Sequence, residues 1–93
     1  MRRGRRVSSK HLVVHYIARP ESAVPRAGFV VGKVVGNSVI RHRVTRQLRH
    51  VVAEHLRALP PTLDLVVRGL PGAADAEIRT ELDALLHQVR ARV

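Results

Sequence analysis

Six histidines and seven carboxylates are the groups in this chain that could hold a metal ion or move a proton near neutral pH. Their spacing does not assemble them. His11 and His15 share one face of an apolar stretch read below as a strand. At roughly 3.3 Å per residue they stand about 13 Å apart, too far for one ion. His50 and His55 diverge on a helical pattern, and His55 falls on its apolar side as a partly buried core residue. Glu77, Glu81 and Asp83 are expected in solvent, opposite the core stripe of a last helix. Metal-assisted phosphodiester cleavage needs carboxylates that converge on the ions, and no such set is present. Gly28 to Lys33 is one residue short of a P-loop, and Val34 stands where that motif needs Ser or Thr. There is no cysteine, so disulfides, thiolate zinc sites, iron–sulfur clusters and thiol nucleophiles are excluded. Sequence alone assigns no catalytic residue and no metal ligand.

The chemistry these residues do support is phosphate recognition. The 93 residues carry 17 Lys and Arg against 7 Asp and Glu, a formal charge of +10. Residues 1–50 hold twelve basic residues and one acid, Glu21, while residues 51–93 are nearly neutral. A merely soluble surface would not place the excess in one half; a polyanion is the expected partner, nucleic acid ahead of an anionic membrane. No segment approaches the roughly 20 apolar residues of a membrane span. Arg2 to Arg6 followed by Leu12 to Ala18 superficially suggests a secretory signal, but the apolar stretch is short, is interrupted by His15 and lacks a cleavage site. A cytoplasmic protein is expected.

The elements that must position these charges follow from periodicity. Met1 to Arg6 reads as a solvated basic arm. His11 to Ala18 is rich in β-branched residues and predicts a strand ending at Arg19-Pro20. Pro20 to Pro25 is a hairpin-length connection, and Ala27 to Val35 predicts a second strand antiparallel to the first. After Gly36, either Asn37 or Ser38 can cap a helix. From Ser38 to Leu59 the apolar residues Ile40, Val44, Leu48, Val51, Val52, Leu56 and Leu59 fall on one arc, stopped by Pro60-Pro61. Leu63 to Arg68 predicts a third, buried strand. Asp75 can cap a last helix whose apolar face is Ile78, Leu82, Leu85, Leu86, Val89 and Val93. The order predicts one α+β domain over residues 1–93, a small sheet packed by helices.

The polar side of the first helix is one-signed. At about 100° per residue, Arg43, Arg46, His50 and Arg57 lie within about 60°, flanked by His42 and Arg49, with Glu54 the one acid there. Such a face repels itself, and phosphates would relieve the repulsion. Arg41 sits at the edge of the apolar arc, where it either snorkels or sends its guanidinium toward a groove beside the sheet. Tyr16 and Phe29, the only aromatics, could stack bases from a sheet surface, Tyr16 being the one expected in water and Phe29 equally readable as core. Two aromatics are too few for a platform that reads several bases, so shape and phosphate recognition is expected.

Lys33 to Arg49, running from a lysine through Gly36-Asn37 into the Arg41-His42-Arg43 helix and the following Arg46 and Arg49, resembles the signature of the bacterial ribonuclease P protein subunit. The resemblance extends over nearly the whole chain. It implies an α-β sandwich with a small mixed sheet and a left-handed β-α-β crossover, whereas general rules would favour a right-handed one. It implies a protein component of ribonuclease P, an endoribonuclease whose catalytic groups and magnesium ions belong to the RNA. The implied partners are that catalytic RNA and precursor tRNA, whose 5′ leader is removed; the protein is expected to be monomeric before assembly and not to bind a membrane. By resemblance, Arg41, Arg43, Arg46 and Arg49 contact the catalytic RNA, with Lys33 and Asn37 leading into them. His15, Tyr16, Phe29 and Arg41 are the implied leader-binding residues. His42 replaces the Asn of the family's Arg-Asn-Arg motif, and Thr45 and Gln47 replace frequent basic residues. The family begins with a helix bearing Phe and Arg, of which Met1 to Arg6 is the expected remnant. The alternative reading is a structural RNA-binding protein such as a ribosomal protein.

Overall fold

The computed structural model describes residues 4–19, 26–60 and 62–93. The Glu21 carboxylate, the start of the basic arm and the Pro20 to Pro25 connection lie outside them. Four strands, β1 (Arg5–Ser8), β2 (Leu12–Ala18), β3 (Arg26–Val30) and β4 (Leu63–Gly69), form one sheet in the order β1-β2-β4-β3. Helices α1 (Ser38–His55) and α2 (Ile78–Arg92) pack against one face of it.

Two features of this sheet differ from the sequence reading. Arg5–Ser8 is an edge strand antiparallel to β2, so Arg5 and Arg6 belong to the sheet rather than to a solvated arm, while residues 1–3 lie outside the described residues. Val7 supplies the reason: it is 4% exposed and joins the core while Arg6 and Ser8 on either side of it stay in water. The second difference is pairing. β3 does not pair with β2; β4 inserts between them, antiparallel to β2 and parallel to β3. Parallel neighbours require a crossover, and α1 supplies it. β3 is also shorter than expected, because Gly32 to Val35 closes a turn through the Val35 amide and the Gly32 carbonyl (3.1 Å). That turn drops Val35 into the core.

The first helix begins where Asn37 Oδ1 accepts the Ile40 amide at 3.0 Å, so Asn37 rather than Ser38 is the cap. Val44, Leu48, Val51, Val52 and His55 are its buried face. The last expected turn tightens into a 3-10 turn at Leu56–Ala58 before Pro60. The final helix starts later than expected. Asp75 closes a short 3-10 turn, and the position before Ile78 is Glu77, which makes no side-chain cap. Ile78, Leu82, Leu85, Leu86 and Val89 are buried as the period predicts, but Val93 follows the last helical residue and is exposed.

Strand alternation sorts the sheet into two faces. Leu12, Val14, Tyr16, Leu63, Leu65 and Val67 point to the helices and are buried. The other face carries Arg6, His15, Val66 and Gly28 in one cross-strand row and Ser8, Val13, Arg68 and Val30 in the next. None of these eight is buried, and no described element covers them.

Glu81 fastens the β1–β2 turn to α2. The Ser9 hydroxyl donates to its Oε1 at 2.5 Å, the His11 amide to the same oxygen at 3.1 Å, and His11 Nδ1 lies 2.7 Å from Oε2. Burial works against the carboxylate, but the Ser9 and His11 hydrogen bonds outweigh it and hold Glu81 below its ordinary pKa. A depressed carboxylate adds stability that is complete above the unfolded value of about 4.3 and is lost as pH falls through the lower folded value. Glu81→Gln is therefore expected to reduce the loss of stability between pH 6 and pH 3, roughly, measured by urea unfolding. An acid limb as steep as that of the parent chain would refute this account.

Candidate nucleic-acid interface

Residues at spacings of three, four and seven share a helix face. On α1 this brings Ser38, Arg41, His42, Thr45, Arg46 and Arg49 to the wall of one shallow open groove, with no acid among them. Arg49 is oriented from outside the helix: its guanidinium carbon lies 5.6 Å from the centre of the Phe29 ring on β3. Phe29 itself is half-buried and packs against the core edge, which decides between its two readings. It is a partner for an arginine on the helix side of the sheet, since it stands opposite buried Val67. Arg41 is half-buried, and its buried Nε has no hydrogen-bond partner among the described residues. Its stem is packed while its head reaches the groove, so it combines the two expected arrangements.

The remaining basic residues do not all converge. Arg43 turns its Nη2 toward the Ala74 carbonyl at 3.4 Å. His50 lines a separate hollow with Val51, Ala53, Glu54 and Arg79. Arg57 is exposed in the 3-10 turn beyond the helix, and Lys33 is exposed in the turn before it. Asn37 is committed to its cap. Of the expected centre of the basic face, Arg43, Arg46, His50 and Arg57, only Arg46 lines this groove, beside Arg41, His42 and Arg49, while the Ala74 carbonyl draws Arg43 aside.

The residues assigned by resemblance to the leader are not brought together. Tyr16 is 4% exposed on the helix side of the sheet, so it cannot stack bases in water. His15 is on the opposite, open face, half-exposed beside a hollow lined by Gly4, Arg5 and Arg6. His15 and Phe29 therefore face opposite sides of the sheet, a consequence of the β3–β4 register. On the open face the acid is already engaged: Arg26 grips Asp64 through Nε (3.3 Å) and Nη2 (3.1 Å), and Arg19 adds a contact at 3.2 Å. The Arg26 hydrogen bond, more than any other influence, keeps the Asp64 carboxyl below its ordinary value. Arg6 and Arg68 are left to give that face its charge.

The carboxylates of α2 do not stand alone in solvent as expected. Besides Glu81, Asp83 accepts from His55 Nε2 across the α1–α2 seam at 2.7 Å, and His87 Nδ1 lies 3.5 Å from its other oxygen. The four-residue spacing of Asp83 and His87 was a visible signal; the arrival of His55 from the other helix was not. No described helix is long and apolar enough to cross a membrane.

Residues 1–90 match the family model described as Ribonuclease P. The chain is 49% identical over 100 residues to the ribonuclease P protein component of Streptomyces bikiniensis, covering 96% of this chain and 81% of that one. It is 47% identical over 98 residues to that of a Nocardioides species, covering 100% and 84%. The fold superposes on the Staphylococcus aureus RNase P protein with a TM-score of 0.77 at 25% identity, covering 95% of this chain and 79% of that one. The Thermotoga maritima RNase P protein gives 0.76 at 18% identity, covering 99% and 86%.

Proposed function

This chain belongs to the ribonuclease P protein family, and on that premise we propose that it is the protein component of a bacterial ribonuclease P. It binds the catalytic RNA through the α1 groove and holds the 5′ leader of precursor tRNA on the open sheet face. The observation that carries this reading is the acid-free groove of Arg41, His42, Arg46 and Arg49, fixed on one side by the Arg49–Phe29 contact. Guanidinium groups held at helical spacing meet phosphates of a folded RNA by charge and hydrogen bonding, without base readout. A ribosomal role has no observation in its favour beyond the charge itself.

Among the described residues the one cluster of possible metal ligands is His55, Asp83 and His87, which does not suit magnesium, an ion that takes oxygen ligands in near-ideal octahedra. Asp64 is engaged by arginines, Glu81 by Ser9 and His11, and Asp83 by two imidazoles. The proposal therefore leaves the ions and the bond-breaking step with the RNA. The protein positions: the groove holds one RNA, and His15 between Arg6 and Val66 offers a flat polar surface for a single strand. It acts as a monomer before assembly, in the cytoplasm.

The test is reconstitution with catalytic RNA from a relative. The complex is expected to bind precursor tRNA more tightly than mature tRNA, by a margin that grows with leader length and then levels. Equal affinity at every leader length refutes the leader surface. Absence of binding to the catalytic RNA refutes the whole reading, and cleavage of precursor tRNA by the protein alone refutes the division of labour.

A further inference from the structure

His55, Asp83 and His87 form a cluster that RNA binding does not explain. Each contributes one possible ligand atom, and the three atoms lie within 4.8 Å of one another. His55 is on the buried side of α1, its side chain 8% exposed, and it aims Nε2 at an Asp83 oxygen from 2.7 Å. His87 is one helical turn beyond Asp83 on α2, so its ring returns to the same carboxylate. The two imidazoles meet edge to face, with centroids 5.2 Å apart and planes at 87°. Two rings from two helices thus flank one carboxylate.

We propose that these three side chains are a binding site for a borderline divalent cation, zinc being the best fit, with a fourth position open to water. The donor set is two imidazole nitrogens and one carboxylate oxygen, which suits zinc and disfavours magnesium and calcium. Bonds of about 2.0–2.1 Å in a tetrahedron place ligand atoms about 3.3 Å apart. His55 Nε2 stands 2.7 Å from Asp83 Oδ1 and His87 Nδ1 stands 3.5 Å from Oδ2, with the three ligand atoms within 4.8 Å of one another, so closing on an ion takes shifts of up to about 1.5 Å. Asp83 and His87 have the freedom to make that shift, their side chains being 56% and 60% exposed, while buried His55 stays fixed.

Ligation through His55 Nε2 displaces the proton that this atom now donates to Asp83, which moves to Nδ1 in the neutral ring. His87 now points Nδ1 at the Asp83 backbone carbonyl, at 2.8 Å. Coordination through that atom moves its proton to the solvent-facing Nε2, and an imidazole that was protonated beforehand releases one proton. Without metal the same cluster is a hydrogen-bonded tie, and the His55 hydrogen bond, before any other influence, lowers the Asp83 pKa. With metal it becomes a clip between the C-terminal end of α1 and the middle of α2. The site neither uses the α1 groove nor depends on the RNA reading.

The experiment is zinc titration of the full chain by calorimetry, followed by thermal unfolding with and without the ion. One zinc per chain and a raised melting temperature are expected. His87→Ala and Asp83→Asn should each weaken binding at least about tenfold and abolish the thermal shift, because each removes a ligand. His50→Ala, which removes a histidine outside the cluster, should leave both unchanged. His87 is exposed, so its variant tests the site without disturbing the core. No zinc binding by the parent chain overturns the proposal. So does binding that survives both substitutions, since the ion would then be held by other histidines.

Discussion

Replacing Arg46 and Arg49 together by alanine is expected to weaken binding to the catalytic RNA about tenfold near physiological salt and to flatten its salt dependence. Each phosphate contact adds roughly 0.7–0.9 to the log–log salt slope through counterion release. Two lost contacts should therefore make the slope shallower by about 1.4–1.8. Both guanidiniums line the α1 groove, and neither is engaged by a carboxylate among the described residues. Arg49 carries a further consequence. Its contact with Phe29 holds it extended beside β3, so Phe29→Leu should lower affinity while leaving the salt slope nearly unchanged. Filter binding across a salt series measures both quantities. An unchanged slope in the double variant would remove the α1 groove from the RNA interface.

The second large effect is on stability rather than binding. Leu86→Ala on α2 should destabilise the protein by about 2–5 kcal/mol, the range for a fully buried leucine whose space is not refilled. Leu86 is 0% exposed within the single core that joins both helices to the sheet. A domain of this size has only about 5–15 kcal/mol in total. The melting temperature should fall by more than about 10 °C. The RNA affinity of the folded protein should survive, since α2 supplies none of the α1 groove. Calorimetry beside a binding assay below the transition separates the two. A loss below about 1 kcal/mol would mean that the α2 seam repacks freely.

How much of this was readable in the residues follows from what is local. The α1 arc of Val44, Leu48, Val51 and Val52 and the α2 stripe of Ile78, Leu82, Leu85, Leu86 and Val89 were visible, because a helix repeats its facing every 3.6 residues whatever it packs against. The Asn37 start and the basic helix face were visible for the same reason, and the Lys33 to Arg49 signature pointed to the family. The charge split between the two halves needed only counting.

Partner choice was not local. Nothing within Arg26–Val30 says that its neighbour is β4, more than thirty residues on, rather than β2. That pairing is tertiary: α1 carries the chain across so that β3 and β4 lie parallel. Alternation along β2 turns Tyr16 inward, and the β2–β4 and β3–β4 registers set His15 and Phe29 on opposite faces, dividing a set of residues that resemblance joins. Val7 made an edge strand of an apparent arm because a core position lay open to it. Burial of His55 could be expected from its place on the apolar arc. Its meeting with Asp83 and His87 could not, because it depends on how two helices, each correctly foreseen, are set against one another by the sheet beneath them. Sequence determines which face of an element is apolar and which is charged; tertiary packing decides what each face meets, since that depends on the free energy of the whole core rather than on any one segment.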